Sequence, residues 1–132
     1  ARVPEEAGNF HPPTILTDVT SEMDIASTEI FGPVAPVFTF DTDAQAIALA
    51  NDTPYGLAAY FWTRDYSRAW RMAESLEAGM IGLNDVAISG DSTPFGGVKE
   101  SGIGRENGIE TLHHYTQVKS VLVELGELER PY

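Results

Sequence analysis

The apolar and polar positions divide the chain into an irregular opening and a regular middle. Pro4, Pro12 and Pro13 interrupt the first thirty residues, where only residues 10–16 read as extended. Residues 34–40 alternate as a strand, with Pro36 unfavourable in its first half. Thr42-Asp43-Ala44-Gln45 is a capping box, in which the Thr42 hydroxyl accepts from the Gln45 backbone N–H while Gln45 reaches back. The helix it opens runs to Asn51 and stops before Pro54, because a residue preceding proline avoids the helical region. Residues 57–63 form a continuous apolar run of strand length, the pattern of a strand covered on both faces. Asp65 caps a second helix reaching Glu77, in which Tyr66, Ala69, Trp70, Ala73 and Leu76 make one apolar stripe, read as core. Gly79 ends that helix, and residues 80–84 are a third strand.

Strand, helix, strand, helix, strand with short connections predicts an α/β fold, a parallel βαβαβ unit with right-handed crossovers. Such sheets bind ligands beyond the carboxyl ends of their strands, which marks the loop at residues 85–95. Residues 106–116 predict a short helix with Gly108 as its weak point. Residues 118–125 predict a terminal strand, alternating at Val121, Val123 and Leu125. A terminal strand with no sequence neighbour leaves an open edge for another domain or subunit to cover.

Length bounds the chain to one domain or part of one, at 132 residues. A net charge of −12 with eight Lys and Arg argues against nucleic acid and against an anionic membrane surface, and reads as solubility. The absence of cysteine removes disulfides and thiolate metal sites and fits a reducing, cytoplasmic setting. No apolar run approaches the ~20 residues of a membrane span. The opening Ala1-Arg2-Val3-Pro4-Glu5-Glu6 lacks the apolar core of a signal peptide and does not begin with Met, so the chain is expected to be cut from something longer.

The densest signal is Thr93-Pro94-Phe95-Gly96-Gly97-Val98-Lys99-Glu100-Ser101-Gly102-Ile103-Gly104-Arg105-Glu106, with four glycines between positions 96 and 104. Backbone so rich in glycine adopts positive φ or passes close to other groups. A dinucleotide fingerprint at Gly102-Ile103-Gly104 fails, because Asn107 stands where its last glycine belongs and no strand leads in. Tight loop packing is the better reading. With Glu29-Ile30-Phe31-Gly32-Pro33-Val34, Asn51-Asp52-Thr53-Pro54-Tyr55-Gly56-Leu57 and Gly82-Leu83-Asn84, in this order and spacing, the chain resembles the aldehyde dehydrogenase superfamily over almost its whole length.

The resemblance implies NAD- or NADP-dependent oxidation of an aldehyde to a carboxylic acid. In that family a Cys thiolate attacks the carbonyl, hydride passes to the nicotinamide, a Glu activates water and the thioester hydrolyses. This chain has no Cys, so residues 1–116 are expected to be the C-terminal part of a catalytic domain, inactive alone. Residues 117–132 are expected to supply an oligomerisation strand and tail, giving a homo-oligomeric dimer or tetramer.

Read from its residues, Glu29 offers a carboxylate for the vicinal hydroxyls of a ribose, and Phe31 an aromatic ring for a flat heterocycle, although the residues alone favour a surface Glu and a buried Phe. The resemblance assigns Glu29 to the nicotinamide ribose and Phe31 to the nicotinamide side of NAD or NADP. A second acid common before this Glu is replaced by Thr28. The loop at residues 86–93 is small and polar after Ile88. Its Ile-Ser pair, followed by four residues and then Pro-Phe-Gly-Gly, looks like succinate-semialdehyde dehydrogenases, where a loop Ser helps hold the substrate's distal carboxylate. That implies a substrate role for Ser89, against a solvated turn serine, with Asp91 facing outward. Lys99, Arg105 and Glu106 can cluster with Glu100, with structural pairing or solvent exposure as the default. His113 and His114 are adjacent and face differently, so no metal site is expected. The alternatives are a non-catalytic association module and a dehydrogenase for an aromatic or amino aldehyde.

Overall fold

The computed structural model describes residues 8–126; Pro4 and the tail from residue 127 lie outside them. The fold is mixed α/β, built from short strands. Strand β1 (Thr14–Leu16) runs parallel to β2 (Val34–Pro36), with Thr14 opposite Val34 and Leu16 opposite Pro36. Helix α1 (Asp43–Asn51) starts as its capping box requires: Gln45 N–H donates to Thr42 Oγ1 at 3.2 Å. The Gln45 side chain reaches back one residue beyond the cap and accepts from Asp41 N–H at 2.8 Å. Strand β4 (Ala58–Phe61), helix α2 (Tyr66–Ser75) and strand β5 (Met80–Leu83) form a parallel βαβ unit with Ala58 opposite Met80. Asp65 caps α2 by accepting from Arg68 N–H at 2.7 Å, and that bond holds its carboxyl below the ordinary value of 3.8.

Two small strands lie outside the predicted pattern. β3 (Tyr55–Gly56) pairs antiparallel with β6 (Val98–Lys99), which sits inside the glycine-rich stretch. The described strands therefore form three two-stranded sheets: β1 with β2, β3 with β6, and β4 with β5. The expected three-stranded parallel unit is divided, because β2 ends at Pro36 after three residues and its ladder is met by β1. Strand–helix–strand order specifies neighbours in sequence, not which strands share hydrogen bonds.

The stretch after Glu106 is a 3₁₀ turn (Ile109–Thr111) followed by α3 (Leu112–Tyr115). Gly108 precedes the turn at φ 61°, which shortens the expected helix. Residues 116–125 carry no ladder, so the expected terminal strand is not formed among the described residues; an extended segment becomes a strand only against a partner. Val19, Ala69 and Met80 are the buried apolar side chains among those residues. Trp70 and Tyr66 are 60% and 82% exposed, which corrects their reading as core. No helix of the described residues is long and apolar enough to cross a membrane.

Candidate functional site

The turn at residues 28–32 begins on a 3₁₀ segment (Asp24–Ala26) and is held by the Thr28 hydroxyl, which donates to the Asp24 carbonyl at 2.8 Å. It places Phe31 at φ 46°, a conformation uncommon for any residue but glycine and rarer still for a bulky one. Backbone held in such a region concentrates at ligand sites, and here it leaves the Phe31 ring 91% exposed. Glu29 is exposed beside it. Both line a cleft of about 780 Å³ whose other walls include Tyr55, Leu57, Glu77 and Ser101. That volume lies within the range of small-molecule sites, roughly 300–1,000 Å³. An exposed carboxylate and a projecting aromatic ring on one lip fit the ribose and flat ring of a nucleotide.

The cleft floor depends on close backbone packing. Gly56 is buried, and a Cβ there would lie 2.7 Å from both the Glu77 carbonyl and a Val98 methyl. Its N–H donates to Ser101 Oγ at 2.9 Å, and its carbonyl accepts from Gly79 N–H at 3.0 Å. A Cβ on Gly79 would collide with the Gly96 carbonyl, so the glycine stretch seats directly against the βαβ unit. Phe95 and Glu106 exchange backbone bonds of 2.8 and 2.7 Å and close the stretch into a loop. Inside it Arg105 Nη1 donates to the carbonyls of Gly97 and Gly104 at 2.8 and 2.6 Å. The loop is a packing device, as its glycines predict. A second cavity of about 320 Å³ lies against it, lined by Phe95, Arg105, Glu106 and His114 among others. Leu57 and Ser101 line both cavities.

Among the described residues no ion pair joins Lys99, Glu100, Arg105 and Glu106 to one another. Lys99 Nζ instead pairs with Glu77 at 2.7 Å and donates to the carbonyls of Asn51 and Thr53 at 2.7 and 3.2 Å. His114 Nε2 accepts from Arg105 N–H at 3.2 Å. Asn51 bridges the two helix ends, donating to the Ser75 carbonyl at 2.8 Å and accepting from Glu77 N–H at 2.9 Å. The roles of Lys99, Asn51 and Ser101 were not read from the sequence. A lone cation and hydroxyl inside a glycine tract, and an Asn at a helix stop, are the signals that point to them.

Ser89 is exposed on the loop that follows β5 and lines neither cavity, so the structure brings Glu29 and Phe31 together and leaves Ser89 apart. Asn84, at φ 56°, brackets Thr63 by accepting from its N–H and donating to its carbonyl, both at 2.8 Å. This ties the carboxyl ends of β4 and β5 together at the root of the loop. Farther along, Gly108 N–H donates to the Asp91 carbonyl at 3.0 Å, linking the Ser89 loop to the end of the glycine stretch.

The model of the Aldehyde dehydrogenase family matches residues 2–121. A succinate semialdehyde dehydrogenase of Acinetobacter baylyi is 51% identical over 113 residues, 86% of this chain and 23% of its own length. A betaine aldehyde dehydrogenase of Brucella anthropi is 49% identical over 127 residues, 96% of this chain and 26% of its own. The solved NAD+ complex of an aldehyde dehydrogenase from Bacillus cereus superposes with a TM-score of 0.87 at 45% identity, covering 94% of this chain and 25% of that one. The chain thus spans about a quarter of the length of the curated relatives it matches.

Proposed function

The chain belongs to the aldehyde dehydrogenase family, and from that premise we propose that it forms one wall of an NAD- or NADP-dependent site that oxidises an aldehyde to a carboxylic acid. The observation that carries this reading is the placement of Glu29 and Phe31 on one lip of the 780 Å³ cleft. The nicotinamide, when bound, accepts hydride. Glu29 accepts hydrogen bonds from ribose hydroxyls, and Phe31, projected by its positive φ, covers one face of the ring. Glu29 and Phe31 thus orient and shield, while the nucleophile is a group this cysteine-free chain does not carry. The 132 residues alone are therefore inactive.

Succinate semialdehyde is the leading substrate, supported by Ile88-Ser89 and by the likeness to the Acinetobacter protein. Ser89 then donates to the distal carboxylate from its exposed loop. The betaine aldehyde relative, nearly as similar, favours a second reading in which the substrate is an amino aldehyde. The apolar side chains at 118–125 support a homo-oligomer formed through that segment, which is also what the isolated chain would do as a non-catalytic module.

The test is steady-state NADH or NADPH formation by the full-length protein. Glu29→Gln is expected to raise KM for the dinucleotide. Ser89→Ala is expected to raise KM for succinate semialdehyde about tenfold, the effect of losing one hydrogen bond to a charged group, and to leave an uncharged aldehyde little changed. Equal effects of Ser89→Ala on both aldehydes would reject the carboxylate role. Turnover by the purified 132 residues would reject their inactivity.

A further inference from the structure

We propose that Asn107 is a modification site: its carboxamide deamidates through the backbone nitrogen of Gly108, and the product releases the tip of the Ser89 loop. The chain has four asparagines, and Asn107 is the one followed by glycine. The two that stand before aspartate are held. Asn51 bonds the Ser75 carbonyl and the Glu77 N–H, and Asn84 bonds both backbone groups of Thr63. Asn9 is followed by Phe10, whose side chain hinders the next nitrogen. Asn107 is exposed, and its carboxamide makes no hydrogen bond among the described residues. It lies at φ 55° and Gly108 follows at φ 61°, with no side chain on Gly108 to crowd the peptide between them.

An Asn carboxamide beside a glycine nitrogen closes a five-membered ring. The Gly108 nitrogen gives up its proton and bonds to Asn107 Cγ, the Cγ–Nδ2 bond breaks, and ammonia leaves. Water then adds to either ring carbonyl and opens the succinimide to aspartate or isoaspartate. In the native chain the attacking nitrogen is engaged, because Gly108 N–H donates to the Asp91 carbonyl at 3.0 Å. Just upstream, Phe95 and Glu106 hold each other by two backbone bonds. Turning the Gly108 nitrogen onto Cγ therefore requires the Asp91 bond to open, and the reaction runs from that open fraction.

The same bond decides what the product does. Among the described residues it is the one hydrogen bond from residues 86–93 to any residue beyond Thr93. Isoaspartate lengthens the main chain by one methylene between positions 107 and 108. With Glu106 fixed on Phe95, the Gly108 N–H then moves off the Asp91 carbonyl and the loop loses its tie. The modification is independent of the functional reading above; its effect on substrate rests on that reading, in which Ser89 contacts the distal carboxylate.

The experiment ages full-length wild type and Asn107→Gly at mildly alkaline pH, both native and in urea. Asn107→Gly removes the carboxamide and accepts the positive φ. Three quantities are read: the mass and isoaspartate content of the tryptic peptide from Glu106 to Lys119, amide hydrogen exchange over residues 86–93, and KM for succinate semialdehyde. Asn107 is expected to convert from carboxamide to acid about tenfold more slowly in the native protein than in urea, the protection that one hydrogen bond gives. Exchange over residues 86–93 is expected to quicken in the converted protein and KM to rise severalfold, with neither change in aged Asn107→Gly. No conversion at Asn107 in the native protein, or equal rates in native protein and urea, overturns the proposal. Conversion without faster exchange overturns the release of the loop. Conversion and faster exchange in a protein that does not oxidise succinate semialdehyde, or whose KM stays fixed, support this inference and reject the substrate role of Ser89.

Discussion

Lys99 shows how a single side chain ties distant segments together here. Its ammonium faces two carbonyls at the end of α1 and the Glu77 carboxylate, and only a quarter of the side chain remains exposed. The carbonyl contacts matter more than the ion pair. Glu77 is 57% exposed, and a pair of that kind contributes roughly 0–1 kcal/mol. Lys99→Met removes the cation from all three oxygens and is expected to cost about 1–3 kcal/mol in urea unfolding. Glu77→Gln, which leaves the carbonyl bonds in place, is expected to cost less than 1 kcal/mol, on the order of an exposed pair. Equal losses would show that the ion pair, not the helix end, is what Lys99 serves. The sequence marked Lys99 as charged and central to the motif but assigned it Glu100, Arg105 and Glu106 as companions. Its real partners lie 22 to 48 positions upstream, across the β3–β6 pairing, which propensity does not encode.

Secondary-structure elements were legible where the signal is local. The Thr42–Gln45 box and the Asp65 cap both form with the donors and acceptors their spacing dictates. The apolar stripe of α2 was legible only as a preference: Ala69 on it is buried, while Tyr66 and Trp70 remain open. A stripe shows which face seeks cover and says nothing of where the cover comes from. The Asp65 cap has a pH signature. Its carboxyl is held below 3.8, chiefly by the Arg68 backbone N–H. A depressed folded-state value means that its stabilisation is complete above the unfolded value and is lost as pH falls through the folded one. Asp65→Asn keeps the capping acceptor without the titration. The difference in urea midpoint between wild type and Asp65→Asn is therefore expected to move against the wild type as pH drops below 3.8. A difference that stays constant from neutral pH downward would show that the cap carries no charge-dependent stabilisation.

At the scale of the whole molecule, the α/β class and the parallel β4–α2–β5 unit were legible, whereas the pairings of β1 with β2 and of β3 with β6 were not, because pairing partners are set by tertiary contacts. Glu29 and Phe31 share a cleft as their spacing suggests, whereas nothing local to Ser89 shows that its loop stands outside that cleft. What the described residues leave open is large: Val118, Val121, Leu122, Val123 and Leu125 are all at least 66% exposed on backbone that forms no ladder among those residues. A run of exposed apolar side chains near a chain end is a surface for association with another copy. Opposing this is the net charge of −12, whose repulsion between copies weakens as salt shortens the Debye length to ~10 Å at 0.1 M. The purified chain is thus expected to sediment as an oligomer whose population rises with salt. Val121→Lys combined with Val123→Lys is expected to return it to monomer. Those two lysines make the chain less negative, so lost association cannot be charged to greater repulsion; it must come from the apolar strand face. A wild-type chain that sediments strictly as monomer at high concentration and high salt would exclude residues 118–125 as an assembly surface.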